Sequence, residues 1–279
     1  MSVAQEGIDR SKWDATNYAS KDNVLRVIRQ EAASVFDLAE ENWESPTTSG
    51  HWEVRDIIGH MVDVTEGYLD RFSTTRAGGQ AEALAVLKNM AKTADSRALE
   101  YRQFSREDLT KRLRENFDEM MDVFEGLSED DWTNLTVVHG YMGPLPAFIY
   151  PIFHIMDYGV HGWDIREGLG MAHSMSADVA DLLVPFMFIL WQSTVDTELL
   201  GDDPLRVGIR VSGRNGGTWR VDVTGDGYAY EQGSIDDVPA YFEFDPASLV
   251  LTAFGRARAG TAYGDLAVAN RYRSIFFSI

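Results

Sequence analysis

Cysteine is absent from this chain of 279 residues. Without it the chain forms no disulfide, has no cysteine nucleophile, and can hold zinc only through His, Asp or Glu. Long apolar stretches are also missing, since the longest, residues 182–191, has ten residues, contains Pro185 and is too short to span a bilayer. The first residues, MSVAQEGIDRSKWD, lack the apolar segment of a signal peptide, so we expect a cytoplasmic protein.

Positive charge is scarce, with 25 Lys and Arg against 44 Asp and Glu, for a formal net charge of −19. Nucleic acids and anionic membrane surfaces bind clustered basic residues, so we expect neither as a partner. A hydrophobic content of 44% is ordinary for a globular protein. The length exceeds that of the commonest single domains, which favours two domains.

Apolar residues in the first 170 positions recur with the 3.6-residue spacing of amphipathic helices. This pattern predicts helices over residues 22–41 and 53–75, and a composition rich in helix formers predicts one over 81–104. Ser105 with Asp108 resembles a helix cap and predicts a helix over 105–127. An irregular segment over 134–146 and a further helix over 147–168 are expected to follow. Long amphipathic helices in succession are typical of a four-helix bundle. We therefore assign residues 1–173 to a helical bundle.

The pattern changes after residue 173. An apolar helix is predicted over residues 176–195, and apolar and polar residues then alternate as in half-buried strands. The strands are expected over residues 205–211, 218–223, 228–232 and 240–244, and helices over 245–254 and 265–276. Residues 174–279 are thus assigned to a small α+β domain, and the whole chain to the α+β class.

The segment FHIMDYGVHGWDIREGLG, residues 153–170, carries the most informative pattern in the chain. His154, Asp157 and His161 fall at i, i+3 and i+7, so a helix would place them on one face. Burying these polar side chains is costly unless they bind a partner, and a metal ion is such a partner. Asp157 and His161, four residues apart, can share one ion from a single helix.

His60 supplies the third ligand in this hypothesis. It lies in the second predicted helix, where Ile57, Met61 and Val64 place it near the apolar side. A catalytic zinc typically takes three protein ligands and keeps one position open. Considered alone, His60 could equally be a histidine of the hydrophobic core that binds no metal. Asp157 and His161 could likewise be a surface pair that interacts at helical spacing without a metal.

A resemblance to a known family sharpens this interpretation. WEVRDIIGHMVD, followed by D-x-x-x-H running into GWDIREGLG, resembles the mycothiol-dependent maleylpyruvate isomerase family. The resemblance implies a DinB-like metal-binding four-helix bundle with a C-terminal sterol-carrier-like domain, and the metal ligands His60, Asp157 and His161. The isomerase has Glu where this chain has Asp157. His154 could be a fourth ligand, a catalytic proton carrier or a packing residue, and we place it outside the ligand set.

The second half adds a catalytic candidate. LVLTAFGRARAG resembles a segment in which the isomerase carries an essential Arg, so the resemblance implies that Arg256 holds a substrate carboxylate or the developing enolate. It also implies mycothiol, the small-molecule thiol of actinobacteria, as cosubstrate. Zinc is the expected metal, although a His/Asp/His set also accepts nickel, iron or manganese. The metal would bind the thiol sulfur and lower its pKa.

Several functions fit these residues. The first is a mycothiol S-transferase in which a metal-bound thiolate attacks an electrophilic small molecule, in detoxification or secondary metabolism. The second is a mycothiol-dependent cis–trans isomerase of a maleylpyruvate-like substrate. The Asp in place of Glu and the irregular segment 134–146 favour transfer. A zinc hydrolase and a non-catalytic protein that binds a small ligand remain alternatives, and a homodimer is compatible with the resemblance because DinB-like bundles are often dimers.

Overall fold

The computed structural model describes residues 9–79, 83–201 and 203–279. Its first half is helical, as predicted, and its four longest helices are α1, α2, α4 and α6. The elements of this half are α1 (Lys21–Glu41), α2 (Val54–Arg76), α3 (Met90–Glu100), α4 (Arg106–Glu125), α5 (Glu129–Asn134), β1 (Thr136–His139), β2 (Gly143–Pro146) and α6 (Ile149–Gly168). Helix α1 packs mainly on α6 and α2 mainly on α4, so the predicted bundle is confirmed.

The helix starts follow from local capping chemistry. The Glu53 side chain accepts a hydrogen bond from the third helical N–H of α2, while the Asp56 side chain accepts one from the Glu53 N–H. Ser105 caps α4 by accepting from the Asp108 N–H. Such contacts satisfy N–H groups that have no partner within the helix, and therefore fix where each helix begins.

Two predicted segments differ from the structure. In residues 81–104 the prediction of one helix is wrong for the part that is described: α3 begins only at Met90, and residues 80–82 lie outside the described ranges. Good helix-forming composition did not suffice here, because α3 buries only Ala98 and gains little from packing. The prediction of an irregular segment over residues 134–146 is wrong, because β1 and β2 pair there as an antiparallel hairpin. The turn between the two strands ends at Gly143, whose φ of 79° favours glycine.

The second half is a five-stranded sheet with helices. Its elements are α7 (Ala177–Thr194), α8 (Thr197–Leu200), β3 (Leu205–Val211), β4 (Gly217–Thr224), β5 (Gly227–Gln232), β6 (Ala240–Phe244), α9 (Pro246–Ala253), β7 (Thr261–Gly264) and α10 (Leu266–Arg273). The strand order is β5-β4-β3-β6-β7, and only the β3–β6 pair among them is parallel. The sequence did not predict β7, which is short and mostly exposed. The α+β class is confirmed.

Polar contacts join the two halves beside helix α7. Arg26 of α1 pairs with Asp178 of α7 at 2.8 Å, and Asp178 also pairs with Arg214 of the β3–β4 turn at 2.6 Å. The Asn215 side chain donates to the backbone carbonyl of Trp13 at 2.7 Å. The domain boundary at residue 173 stays a prediction. Within the described ranges, every helix is too short or too polar to cross a bilayer.

Two glycines allow close helix approach beside the predicted ligands. A Cβ added at Gly59 would lie 2.7 Å from the Cβ of Tyr101, and one added at Gly159 would lie 2.6 Å from Cγ1 of Val179. Real Cβ atoms do not come so close to carbon, so any larger residue would push the neighbouring segment away. Helix α2 is thereby packed tightly next to His60, and helix α6 next to Asp157 and His161.

Candidate metal centre

Helices α2 and α6 bring His60, Asp157 and His161 together. One ligand atom from each of these three residues lies within 4.8 Å of the others. The two imidazole rings are 5.2 Å apart and nearly perpendicular. The ligand set predicted from the sequence therefore converges in space, although 97 positions separate His60 from Asp157.

The donor set suits a divalent ion. Two donors bound to one zinc at about 2.1 Å each would be about 3.4 Å apart in a tetrahedral site, so the three atoms would have to close by at most about 1.4 Å. Imidazole nitrogen and carboxylate oxygen are accepted by zinc and by other first-row divalent metals. The residues present thus fit a metal with three protein ligands, while the identity of the metal stays a prediction.

Burial shifts the pKa values of two ligands. It lowers the pKa of His60 to about 3, with a smaller contribution from His161, so His60 is neutral at physiological pH. It raises the pKa of Asp157 to about 6, an effect that His161 partly offsets. Within the described ranges only His161 offsets the burial of the Asp157 carboxyl, and no hydrogen bond contributes to its pKa. A buried carboxylate without a partner is energetically costly, and a bound cation would offset that cost.

Trp52 forms one wall of the centre. Its ring lies 5.2 Å from the His60 ring and 5.9 Å from the His161 ring. The indole N–H donates to the Asp95 carboxylate at 2.8 Å, which ties the ring to helix α3. Trp52 is buried and packs against both imidazoles, as expected for a residue that limits how the ligand rings can turn.

Asp164 supports His161 from outside the ligand set. Its carboxylate oxygen Oδ2 lies 3.0 Å from Nδ1 of His161. Burial alone would raise the pKa of Asp164, but hydrogen bonds from His161 and Arg256 outweigh it, and the pKa falls to about 2. Because the charged carboxylate only accepts, Nδ1 of His161 carries the proton and Nε2 keeps its lone pair for a metal. The sequence analysis did not single out Asp164, though an acid three residues after a ligand histidine was a signal for it.

Arg256 lies between the two halves of the chain. Its Nε and Nη2 atoms donate to the Asp164 carboxylate at 3.0 and 2.9 Å, and Nη1 donates to the Phe254 carbonyl at 3.0 Å. The structure therefore places Arg256 two hydrogen bonds away from His161. Its predicted contact with substrate stays a prediction.

His154 lies apart from the three ligands. It is 1% exposed and surrounded by the rings of Tyr68, Phe124 and Tyr158. Neither ring nitrogen has a hydrogen-bond partner among the described residues. Burial lowers the pKa of His154 to about 4, so the ring is neutral at physiological pH. Its predicted catalytic role stays a prediction.

Tyr68 and His139 extend the site along helix α2 towards the β1–β2 hairpin. Burial raises the pKa of Tyr68 well above its usual value, and the nearby charge of Asp157 adds to the increase. The His139 ring lies 6.2 Å from the Tyr68 ring, and its Nδ1 accepts from the N–H groups of Tyr141 and Met142. Burial, with a smaller contribution from Arg71, lowers the pKa of His139 to about 4, so the ring is neutral at physiological pH and carries its proton on Nε2. Tyr68 was not among the site residues predicted from the sequence.

The fold and the site define an α+β protein that joins a helical bundle, with three convergent candidate metal ligands, to a second half built on a five-stranded sheet. The family model for the mycothiol maleylpyruvate isomerase N-terminal domain matches residues 24–166. These residues span slightly more than half of the chain and include all three ligands. The chain belongs to this family.

Solved structures support the same fold. The crystal structure of the mycothiol-dependent maleylpyruvate isomerase superposes with a TM-score of 0.60 and 11% identity, covering 88% of this chain and 94% of that one. A His-to-Ala mutant of that isomerase gives a TM-score of 0.59 and 10% identity over the same shares. The likeness therefore extends through both halves of this chain. Proteins of curated function gave no match.

Proposed function

We propose that this protein is a metal-dependent enzyme that uses mycothiol to attack an electrophilic small molecule. The observation that carries the proposal is the convergence of His60, Asp157 and His161 from two helices that are distant in the sequence. Membership of the family supports mycothiol as the thiol. The chain has no cysteine, so the attacking sulfur has to come from a cosubstrate.

The three ligands have distinct tasks in this proposal. A divalent ion held by them would supply the Lewis acidity that lowers the pKa of a thiol to near neutrality. His60 is held neutral by burial and needs no deprotonation to act as a ligand. Asp157 contributes one negative charge and His161 presents a nitrogen whose orientation Asp164 fixes.

Other side chains of the chain would shape the approach of the electrophile. Tyr68 lies next to Asp157 and would offer a neutral phenol hydroxyl, because its pKa is raised. His139 would offer its Nε2–H from the hairpin. Both groups can donate a hydrogen bond to a carbonyl or carboxylate oxygen of a bound substrate, which would orient the reacting carbon.

Within this class we propose thiol transfer as the reaction. The sulfur forms a bond to the electrophilic carbon, the bond to the leaving group breaks with its electron pair, and the thiol proton is released. Asp157, with a shorter arm than Glu, supports a ligand geometry that differs from that of the isomerase. The second candidate is cis–trans isomerisation, which the family itself favours. In that reaction sulfur adds to a double bond, the carbon–carbon bond rotates, and elimination returns the thiol unchanged.

Product analysis tests the proposal. Zinc-loaded protein would be incubated with mycothiol and a panel of electrophiles that includes maleylpyruvate, and products followed by mass spectrometry. Transfer predicts one thiol consumed for each conjugate formed, whereas isomerisation predicts a trans product with no net loss of thiol. Either activity should disappear with a chelator and in His161→Ala. It should persist in His173→Ala, whose side chain contacts the Met171 carbonyl and the Glu167 carboxylate near the end of α6. Absence of both products with the metal-loaded protein would refute the proposal.

A further inference from the structure

Arg256 makes a contact that the proposed thiol chemistry does not itself require. It follows helix α9 in the second half of the chain, yet its guanidinium reaches a carboxylate on helix α6 of the bundle. Nε and Nη2 donate side by side to Asp164 at 3.0 and 2.9 Å. This paired geometry gives the strongest and most directional form of an Arg–carboxylate contact.

Asp164 is held from several directions. Its side chain is fully buried, and Oδ1 also accepts from the Thr48 hydroxyl at 3.1 Å. The Thr48 N–H donates to the Asp164 backbone carbonyl at 3.1 Å. These contacts leave the carboxylate one orientation, in which Oδ2 lies 3.0 Å from Nδ1 of His161.

Most of the hydrogen-bonding capacity of Arg256 is used inside the protein. A guanidinium has five N–H donors. Two donate to Asp164, one donates to the Phe254 carbonyl, and one points to the Ser49 hydroxyl at 3.4 Å. The side chain is 17% exposed. Arg usually binds a carboxylate through two N–H donors, and Arg256 has only one donor left for a substrate carboxylate.

We propose that Arg256 is a positioning residue, which acts through Asp164 to hold His161 in the tautomer and orientation that bind a metal. The second half of the chain would then set the metal affinity of the bundle without touching the ion. Supporting hydrogen bonds of this kind commonly change metal affinity by about 10- to 100-fold. The inference rests on the proposed function in one respect, that His161 is a metal ligand.

Two variants separate this role from contact with substrate. Arg256→Gln removes the paired donors, and Asp164→Asn replaces one carboxylate oxygen with an NH2 group. Because Arg256 and Thr48 both donate to Oδ1, the amide oxygen should keep that position and the NH2 group should face Nδ1 of His161. The second change favours the tautomer with the proton on Nε2, the nitrogen required for the metal. Arg258→Gln is the matched control, because Arg258 lies two residues away and is exposed.

The experiment has two readouts that do not depend on activity. Nitrogen-15 NMR of histidine-labelled, metal-free protein reports the tautomer of His161, with His161→Ala used for assignment. Competition with a chromophoric chelator reports the dissociation constant for zinc. We expect Nδ1–H in the wild type, Nε2–H in Asp164→Asn, and zinc binding weaker by about 10- to 100-fold in Asp164→Asn and Arg256→Gln. Arg258→Gln should match the wild type within about threefold.

Specific outcomes would overturn the proposal. An unchanged tautomer in Asp164→Asn, or zinc binding within threefold of the wild type in Arg256→Gln, would show that Arg256 does not act through His161. If Arg256→Gln fails to fold, Arg256→Lys keeps the charge but loses the paired geometry and should still weaken zinc binding by about 3- to 10-fold. Failure of the wild type to bind zinc would instead contradict the proposed function, and the NMR comparison would still decide the link between Asp164 and His161.

Discussion

Replacing Asp157 with Asn should stabilise the metal-free protein at neutral pH. Burial raises the pKa of the Asp157 carboxyl to about 6, from an ordinary value of 3.8. Above pH 6 the folded protein therefore holds a charge that burial disfavours. Asn has nearly the same shape as protonated Asp and carries no charge, so the substitution removes this penalty without opening a cavity.

The size and sign of the effect follow from proton linkage. A raised pKa means that the folded state binds the proton more tightly than the unfolded state, so wild-type stability is lost as pH rises from 3.8 to 6. The penalty reaches about 3 kcal/mol at pH 7.5, about 1.6 kcal/mol at pH 5 and about 0.5 kcal/mol at pH 4. His60 has a lowered pKa in the wild type and in Asp157→Asn alike. Its contribution therefore cancels from the difference in unfolding free energy between the two proteins.

Urea unfolding of chelator-treated protein, followed by far-ultraviolet circular dichroism, measures this difference. Asp157→Asn should be more stable than the wild type by about 3 kcal/mol at pH 7.5, with the gain shrinking towards pH 4. Asp118→Asn, an exposed change on helix α4, should show almost no gain. Zinc at 1,000 times its dissociation constant should add about 4 kcal/mol to the wild type and reverse the order. A loss of stability in Asp157→Asn, or a gain independent of pH, would refute the reasoning.

Three further substitutions test packing and hydrogen bonding within the bundle. Gly59→Ala places a Cβ 2.7 Å from that of Tyr101. The overpacking should cost about 1–3 kcal/mol and outweigh a helix-propensity gain of about 1 kcal/mol, so the melting temperature should fall. A rise in the melting temperature would contradict this. Lys21→Met removes a buried ammonium that donates to two backbone carbonyls at the end of α4, and should cost about 2–3 kcal/mol in urea unfolding. Trp52→Phe loses the 2.8 Å hydrogen bond to Asp95 but keeps a ring over the ligands; stability should fall by about 1 kcal/mol while zinc affinity, measured by chelator competition, stays within about threefold.

Much of the architecture could be predicted because the signals are local. The helical period of residues 22–41 and 53–75 matches α1 and α2 to within one residue at each end. Strands β3 to β6 could be predicted from the alternation of apolar and polar residues along each of them. The β1–β2 hairpin was not, because its four-residue strands contain two prolines and depend on pairing with each other.

The convergence of the three candidate ligands could be predicted for a related reason. Asp157 and His161 share a helix, so their proximity follows from helical geometry, and His60 was placed by its position on an apolar helix face. The link through Asp164 to Arg256 could not be predicted, because 92 positions separate the two residues and no local period encodes a contact between the halves. Geometry was needed to show that Arg256 points at Asp164.

Anomalous X-ray diffraction at the zinc edge, on crystals of zinc-loaded protein, tests the central claim most directly. The account predicts one strong peak about 2.0–2.2 Å from a nitrogen of His60, a nitrogen of His161 and a carboxylate oxygen of Asp157. Crystals of His161→Ala should lack that peak. A zinc-loaded wild type with no peak among these three residues, or with its peak elsewhere, would contradict the account.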